Sequence, residues 1–418
     1  MKKKIVFIVI LVLLIITASI TLIFSKKDVN EPDDVVDTEV IDEPIEVWPK
    51  EYKLSLIMGG DAVIHSSVYT ANQTENGFDF SYPLAEIKNL VQNYDLAYYN
   101  QETILGGSEY GLSNYPQFNS PQEVGDAFVD AGFNLVSLAT NHTMDWYYSK
   151  GDALVVSSRN YWLDQYDKNG VISAGSYKSY EDKDRIVIGE KNDITYALLS
   201  YTFSTNGIYP DADQSYLVNM IDKEAIREDV LKYRDKVDVL MVAMHWGEEY
   251  VYNPTSYQQD LALFLADLDV DIVIGNHSHV LEPIEWIDDT LVIYSLGNIL
   301  SGQYFSIQTL TTALCSLDIT KTVNEDGSYD IKMDNVEAHL FYGITNDKWK
   351  MVPYAELSEE QLPNKDIYFD FFSQILRGEM KEETLSAVSG LYNPKETGIF
   401  EDYPMFNGIN PNLELIVN

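Results

Sequence analysis

Two short, β-branched apolar runs ending in histidine set the tightest limit on the fold. Val239–Met244 reads VLMVAM and delivers His245, and Asp271–Ile274 reads DIVI and leads through Gly275-Asn276 to His277 and His279. Runs of this length and composition read as buried strands. Between them, Thr255 to Leu268 places Leu261, Phe264, Leu265 and Leu268 at helical spacing. Strand, helix, strand is most simply a right-handed parallel crossover. Ligands of such sheets collect beyond the carboxyl ends of the strands, where all three imidazoles would lie. Neutral imidazole is the commonest protein metal ligand, so the stretch points to a transition-metal site.

A single histidine after a strand is more often a hydrogen-bonded turn residue than a ligand. The His-x-His pair is stronger, because one bend in the backbone lets both rings reach a shared centre. Six histidines are present, and the other three are His65, His142 and His339. The first two also follow apolar runs, whereas His339 stands apart and reads as structural.

The same pattern recurs along the chain. Lys53–Met58 reads as a strand entering Gly59-Gly60-Asp61, and Leu96–Tyr99 as one entering Asn100-Gln101-Glu102. Leu135–Leu138 is a strand that stops at Thr140-Asn141-His142, with Asp145 close behind. Further strands are expected at 172–175, 186–188, 195–200 and 290–294, and helices at 84–90 and 224–237. Ser120-Pro121-Gln122-Glu123 predicts a helix start with a capping serine, proline at the first position and Glu123 closing a capping box; Gly132 ends it. Alternating strands and helices argue for an α/β layered fold with one active edge. The residues gathered there are Asp61, His65, Glu102, Asn141, His142, His245, His277 and His279, a nitrogen and oxygen set suited to Mn, Fe or Zn. A carboxylate such as Glu102 can bridge two ions about 3.5 to 4 Å apart, and His142 can protonate a leaving oxygen.

The formal net charge of -38 repels nucleic acid and other polyanions, so an anionic substrate must be drawn locally, by metal ions. Cys315 is the only cysteine, which excludes an intrachain disulfide and a cysteine zinc cluster. After MKKK, residues Ile5 to Phe24 form an apolar run long enough to cross a hydrocarbon core of about 30 Å. The flanking lysines favour the cytoplasmic side, so the expectation is an uncleaved single-pass anchor at 1–27 in the cytoplasmic membrane, with the rest of the chain outside. Residues 28–51 are rich in Asp, Glu and Pro and read as an extended stalk. The folded domain is expected at 52–345, and 346–418 is set apart as a C-terminal appendage.

Six motifs occur in order over about residues 54 to 302: Gly60-Asp61 with His65; Asn100-Gln101-Glu102; Ala139-Thr140-Asn141-His142 with Asp145; His245-Trp246-Gly247 with Glu249-Tyr250; Gly275-Asn276-His277-Ser278-His279-Val280; and Tyr294-Ser295-Leu296-Gly297-Asn298. Together they resemble the CapA or PgsA family, bacterial capsule proteins of poly-γ-glutamate synthesis, itself similar to calcineurin-like metallophosphoesterases. The resemblance implies a four-layer α/β/β/α sandwich, membrane-anchored and facing outward. It implies two divalent transition-metal ions: one on Asp61, Glu102 and His279, with His65 able to join, and one on Glu102, Asn141, His245 and His277. His142 would be the general acid, with Asp145 beside it. Three residues separate Asp61 from His65, where a metallophosphoesterase has one, so His65 needs a different turn to reach the ion. Partners implied are other capsule-synthesis membrane proteins and an anionic polymer. Two other functions stay open: a surface metal-dependent hydrolase of phosphoester or amide bonds, and a non-catalytic polymer-binding scaffold.

Overall fold

The computed structural model describes residues 47–345, 349–391, 406, 409 and 415–418, and the run on which the membrane anchor was expected lies outside them. Among the described residues no helix is long and apolar enough to cross a membrane. From Trp48 onward the chain is one compact unit.

The fold is mixed α/β, built on two sheets. In the larger, Lys50–Val63 lies between Leu96–Gln101 and Thr311–Val323; the order runs from Lys350–Pro353 through Tyr329–Ile344, Thr311–Val323, Lys50–Val63, Leu96–Gln101 and Leu135–Ser137 to Ile172–Ala174. The short strand Asn298–Ser301 pairs with the far end of Lys50–Val63 in parallel. In the smaller sheet the order is Ile284–Ile287, Thr290–Ile293, Ile272–Asn276, Val239–His245, Ile194–Thr202 and Gly189–Lys191. Val239–His245 and Ile272–Asn276 are parallel neighbours, with Asn276 opposite His245, as the crossover reading requires.

Alternation along each strand decides what it faces. Leu54, Leu56 and Met58 join Met241, Ala243, Ile272 and Ile274 in one core between the sheets. Ile57, Ala97, Tyr99 and Val136 face the other way, against Ile87, Val91, Val124, Phe128 and Trp162. On the smaller sheet Leu240, Val242 and Val273 pack outward on Ile226, Val230, Leu261 and Leu265. Helices thus cover the outer face of each sheet. Residues set apart as the appendage enter this packing: Lys350–Pro353 edges the larger sheet, and Phe371, Phe372, Ile375 and Leu376 of the helix Lys365–Leu376 fill the core between the sheets.

Two local expectations are corrected. The segment 186–188 is not a strand; the strand is Gly189–Lys191, and Ile186 stays exposed. Ser120 does not cap the next helix, which starts at Glu123 with no side-chain cap. Its hydroxyl donates instead to Thr103 Oγ1 (3.0 Å), satisfying a fully buried polar neighbour. Gly132 ends that helix in the left-handed region, as predicted.

The two sheets bring Asp61 and His277 into contact at their strand ends, and glycine allows the close approach. A Cβ on Gly60 would lie 1.9 Å from Gly297 O, a backbone atom with no rotamer to escape into. Gly60→Ala is therefore expected to cost more than the roughly 1–3 kcal/mol of ordinary overpacking. Thermal unfolding beside wild type reads it, and an unchanged midpoint would refute the close approach.

Candidate metal centre

Asp61 is held where Lys50–Val63 bulges between Met58 and Asp61 against Leu96–Gln101. It is fully buried; Oδ1 accepts from Asn100 Nδ2 (2.8 Å) and Oδ2 from His277 N (3.0 Å). One contact thus ties the larger sheet to the His277 loop of the smaller. Asn100 Nδ2 also lies 3.3 Å from His245 Nδ1, and His245 Nε2 lies 3.1 Å from Asn141 Oδ1. The rings of His245 and His277 are 4.7 Å apart, and those of His277 and His279 5.9 Å. His277 (φ 97°) and His279 (φ 60°) sit in the left-handed region, a backbone cost of about 1–3 kcal/mol each that concentrates at functional sites.

Three sets of side chains bring ligand atoms within 4.8 Å of one another: Asp61, Glu102 and His279; Glu102, His245 and His277; and Glu249, His277 and His279. Glu102 is common to the first two, as a bridging carboxylate would be. Both its oxygens are buried without a hydrogen-bond partner, and so is His277 Nδ1. The ion-pair contact of Glu102 to His279 Nε2 is 3.6 Å. A buried carboxylate left this way is expensive unless a cation meets it, so these residues fit a metal.

The ionisation states agree. Burial pushes His245 and His277 well below the ordinary imidazole range, leaving them neutral as ligands must be. Glu102 and His279 titrate as a pair: burial pushes the carboxyl well up, while Glu102 and Asp61 outweigh burial at His279 and hold its imidazole at about 9. The pair therefore holds a proton between them that a metal must displace. Metal loading is expected to release protons and to tighten as pH rises. Calorimetry in buffers of different ionisation enthalpy checks this, and a buffer-independent heat would contradict it.

His142 lies beside these sets. Its Nδ1 is 2.7 Å from Asp145 Oδ2, which also accepts from Phe118 N (2.6 Å). Thr140 fixes the turn by donating from Oγ1 to Glu102 O (2.7 Å) and accepting there from His142 N (3.1 Å). Burial pushes the Asp145 carboxyl up, against the opposing pull of His142. His65 is in none of the three sets. Its Nδ1 is 3.1 Å from Val63 O, and its ring packs edge-on with Phe118, which also packs edge-on with His142. His339 bonds Ser316 Oγ (3.2 Å).

Glu249 and Asn298 also adjoin these residues, and both lie inside the sequence motifs. Asn298 Oδ1 is 3.1 Å from His279 Nδ1; Asn298 Nδ2 donates to Gln303 Oε1 (3.1 Å), and Gln303 Nε2 to Tyr250 OH (3.1 Å). This chain orients His279 from the lip of the site. The signal for it was position alone, since Asn298 follows a strand end just as Asn141 does.

Residues 55–303, more than half of the chain, match the family model described as bacterial capsule synthesis protein PGA_cap. Among curated proteins, the PGA biosynthesis protein CapA of Bacillus subtilis (strain 168) is 29% identical over 203 residues, 48% of this chain and 50% of that protein. The capsule biosynthesis protein CapA of Bacillus anthracis is 25% identical over 267 residues, 60% of each. The chain thus spans about half to three fifths of the length of the curated relatives it matches. Among solved structures, a hypothetical protein from Thermus thermophilus matches 68% of this chain and 98% of its own at 16% identity, with a TM-score of 0.39, too slight a likeness to assign a fold. By the extent of the family match, the chain belongs to the bacterial capsule synthesis protein PGA_cap family.

Proposed function

We propose that the protein is a membrane-anchored, outward-facing CapA-type protein that acts in the synthesis, transport or attachment of capsule poly-γ-glutamate through a two-metal centre. On this reading the helix, sheet, sheet, helix order is the four-layer sandwich of calcineurin-like metallophosphoesterases. Asp61, Glu102 and His279 hold one ion, and Glu102, Asn141, His245 and His277 the other, with Mn, Fe or Zn suiting the donors. His65, outside the close sets, is kept as an added donor to the first ion. Such ions, when bound, polarise a phosphoryl or carbonyl oxygen and activate water. The chain's own part is to orient the imidazoles and to supply a proton from His142, held by Asp145. The observation that supports the reading most is Glu102, a buried carboxylate shared by two ligand sets with neither oxygen hydrogen-bonded.

Hydrolysis of a phosphoester or amide bond at the cell surface is a second reading, favoured by the His142–Asp145 pair at 2.7 Å. The partners proposed are the cytoplasmic membrane, other capsule-synthesis membrane proteins and an anionic polymer. In a strain that loses capsule polymer when this gene is deleted, wild type is expected to restore the polymer and His245→Ala to fail. Rescue by His245→Ala would reduce the protein to a scaffold.

A further inference from the structure

Glu249 differs from the other carboxylates of the ligand sets. Asp61 and Glu102 are buried, whereas Glu249 is open to solvent, yet its carboxylate comes within 4.8 Å of ligand atoms on both His277 and His279. The loop that presents it is fastened at both ends to the smaller sheet's ligand edge. Trp246 N donates to Asn276 O (3.1 Å), Trp246 Nε1 to Tyr294 O (3.1 Å) and Tyr250 N to Ser278 O (2.7 Å). Tyr250, next to Glu249, is held at φ 67°, an unfavourable value for an aromatic residue. Such a fixed loop holds Glu249 beside His277, a residue whose Nδ1 is buried without a hydrogen-bond partner. Glu248, also exposed, belongs to no set.

We propose that Glu249 is an exchangeable metal ligand, closing on the two-ion centre from the solvent side beside His277 and His279 and giving way to an anionic group of the substrate. The inference rests on the two-metal reading above. A buried ligand cannot leave without exposing an unpaired charge, but Glu249 can swing into water. A substrate phosphate or carboxylate arriving from solvent then takes its position, so the ion draws an anion into an otherwise repelling, acidic protein. No Lys or Arg is among the charges acting most strongly on Glu102 or His279.

The test uses the full chain as wild type, Glu249→Gln and Glu248→Gln, with Mn(II) alone and then with inorganic phosphate added to the loaded protein. Glu249→Gln should weaken Mn(II) binding by about tenfold or more, since even indirect partners of a metal contribute about 10–100-fold. The loaded variant should bind phosphate more tightly than wild type, because no carboxylate competes, and Glu248→Gln should match wild type in both. Equal Mn(II) affinity in wild type and Glu249→Gln would overturn the proposal and leave the metal centre standing. Weaker phosphate binding in Glu249→Gln would overturn the exchange. Failure of wild type to bind any ion would remove the metal centre and this proposal with it.

Discussion

Replacing Glu102 by glutamine is expected to take the protein from about two bound metal ions per chain to none, because this one carboxylate is shared by two ligand sets. His245 belongs to one set only, so His245→Ala should leave the ion of Asp61 and His279 in place. Mass spectrometry of the metal content of wild type and both variants distinguishes the two patterns. The apo proteins supply a control that a merely structural role fails. In the metal-free chain Glu102→Gln gives up only the 3.6 Å contact to His279, neither carboxylate oxygen being hydrogen-bonded, so the unfolding midpoint should fall little. What it should abolish is the gain on adding metal, about 2.7 kcal/mol for one site at a hundred times its dissociation constant. Retention of both ions by Glu102→Gln, or an undiminished gain on adding metal, would end the case for a bridging carboxylate.

How much of this site was legible follows from where its residues lie on the backbone. Asp61, Glu102, Asn141, His245, His277 and His279 stand at or just beyond strand ends, and apolar runs announce strand ends. The parallel crossover then follows from handedness and brings the ends together. Glu249 was not legible, because its placement depends on the backbone at Tyr250 and on hydrogen bonds to Asn276, Tyr294 and Ser278, which no periodicity encodes. The same holds for the fold. The helix Ala153–Asn169 escapes a hydrophobic reading because its buried face includes Ser158, Arg159 and Gln165 as well as Leu154, Val155 and Trp162. Arg159 is satisfied by Asp182, 23 residues on, with bonds of 2.7 and 2.9 Å, a long-range pairing that makes a charged residue a core residue. Ser120 shows the reverse error: a correct local capping signal gave way to the needs of buried Thr103. Local signals fail where a distant polar partner decides, and such partners are frequent near functional sites.

On the hydrolytic reading, His142→Ala is expected to slow cleavage by about 10²–10⁴-fold, the usual share of a positioned general acid, with metal content equal to that of wild type. The geometry gives the reason. Asp145 Oδ2 accepts from both Phe118 N and His142 Nδ1, which fixes the imidazole with its proton on Nδ1 and leaves Nε2 to exchange one with a leaving group. Phe118 packs edge-on against the ring with centroids 4.7 Å apart and restricts its tilt. Asp145→Asn keeps this shape but removes the carboxylate that holds His142 Nδ1, so its loss should be smaller than that of His142→Ala. A chromogenic phosphodiester and a γ-glutamyl anilide, each followed over pH with wild type, His142→Ala and Asp145→Asn, provide the readout. A His142→Ala variant that works within threefold of wild type on every hydrolysed probe would exclude His142 as the acid. If wild type cleaved neither probe while holding its metal, the two ions would be left to bind and orient polymer, and the His142–Asp145 pair would need another explanation.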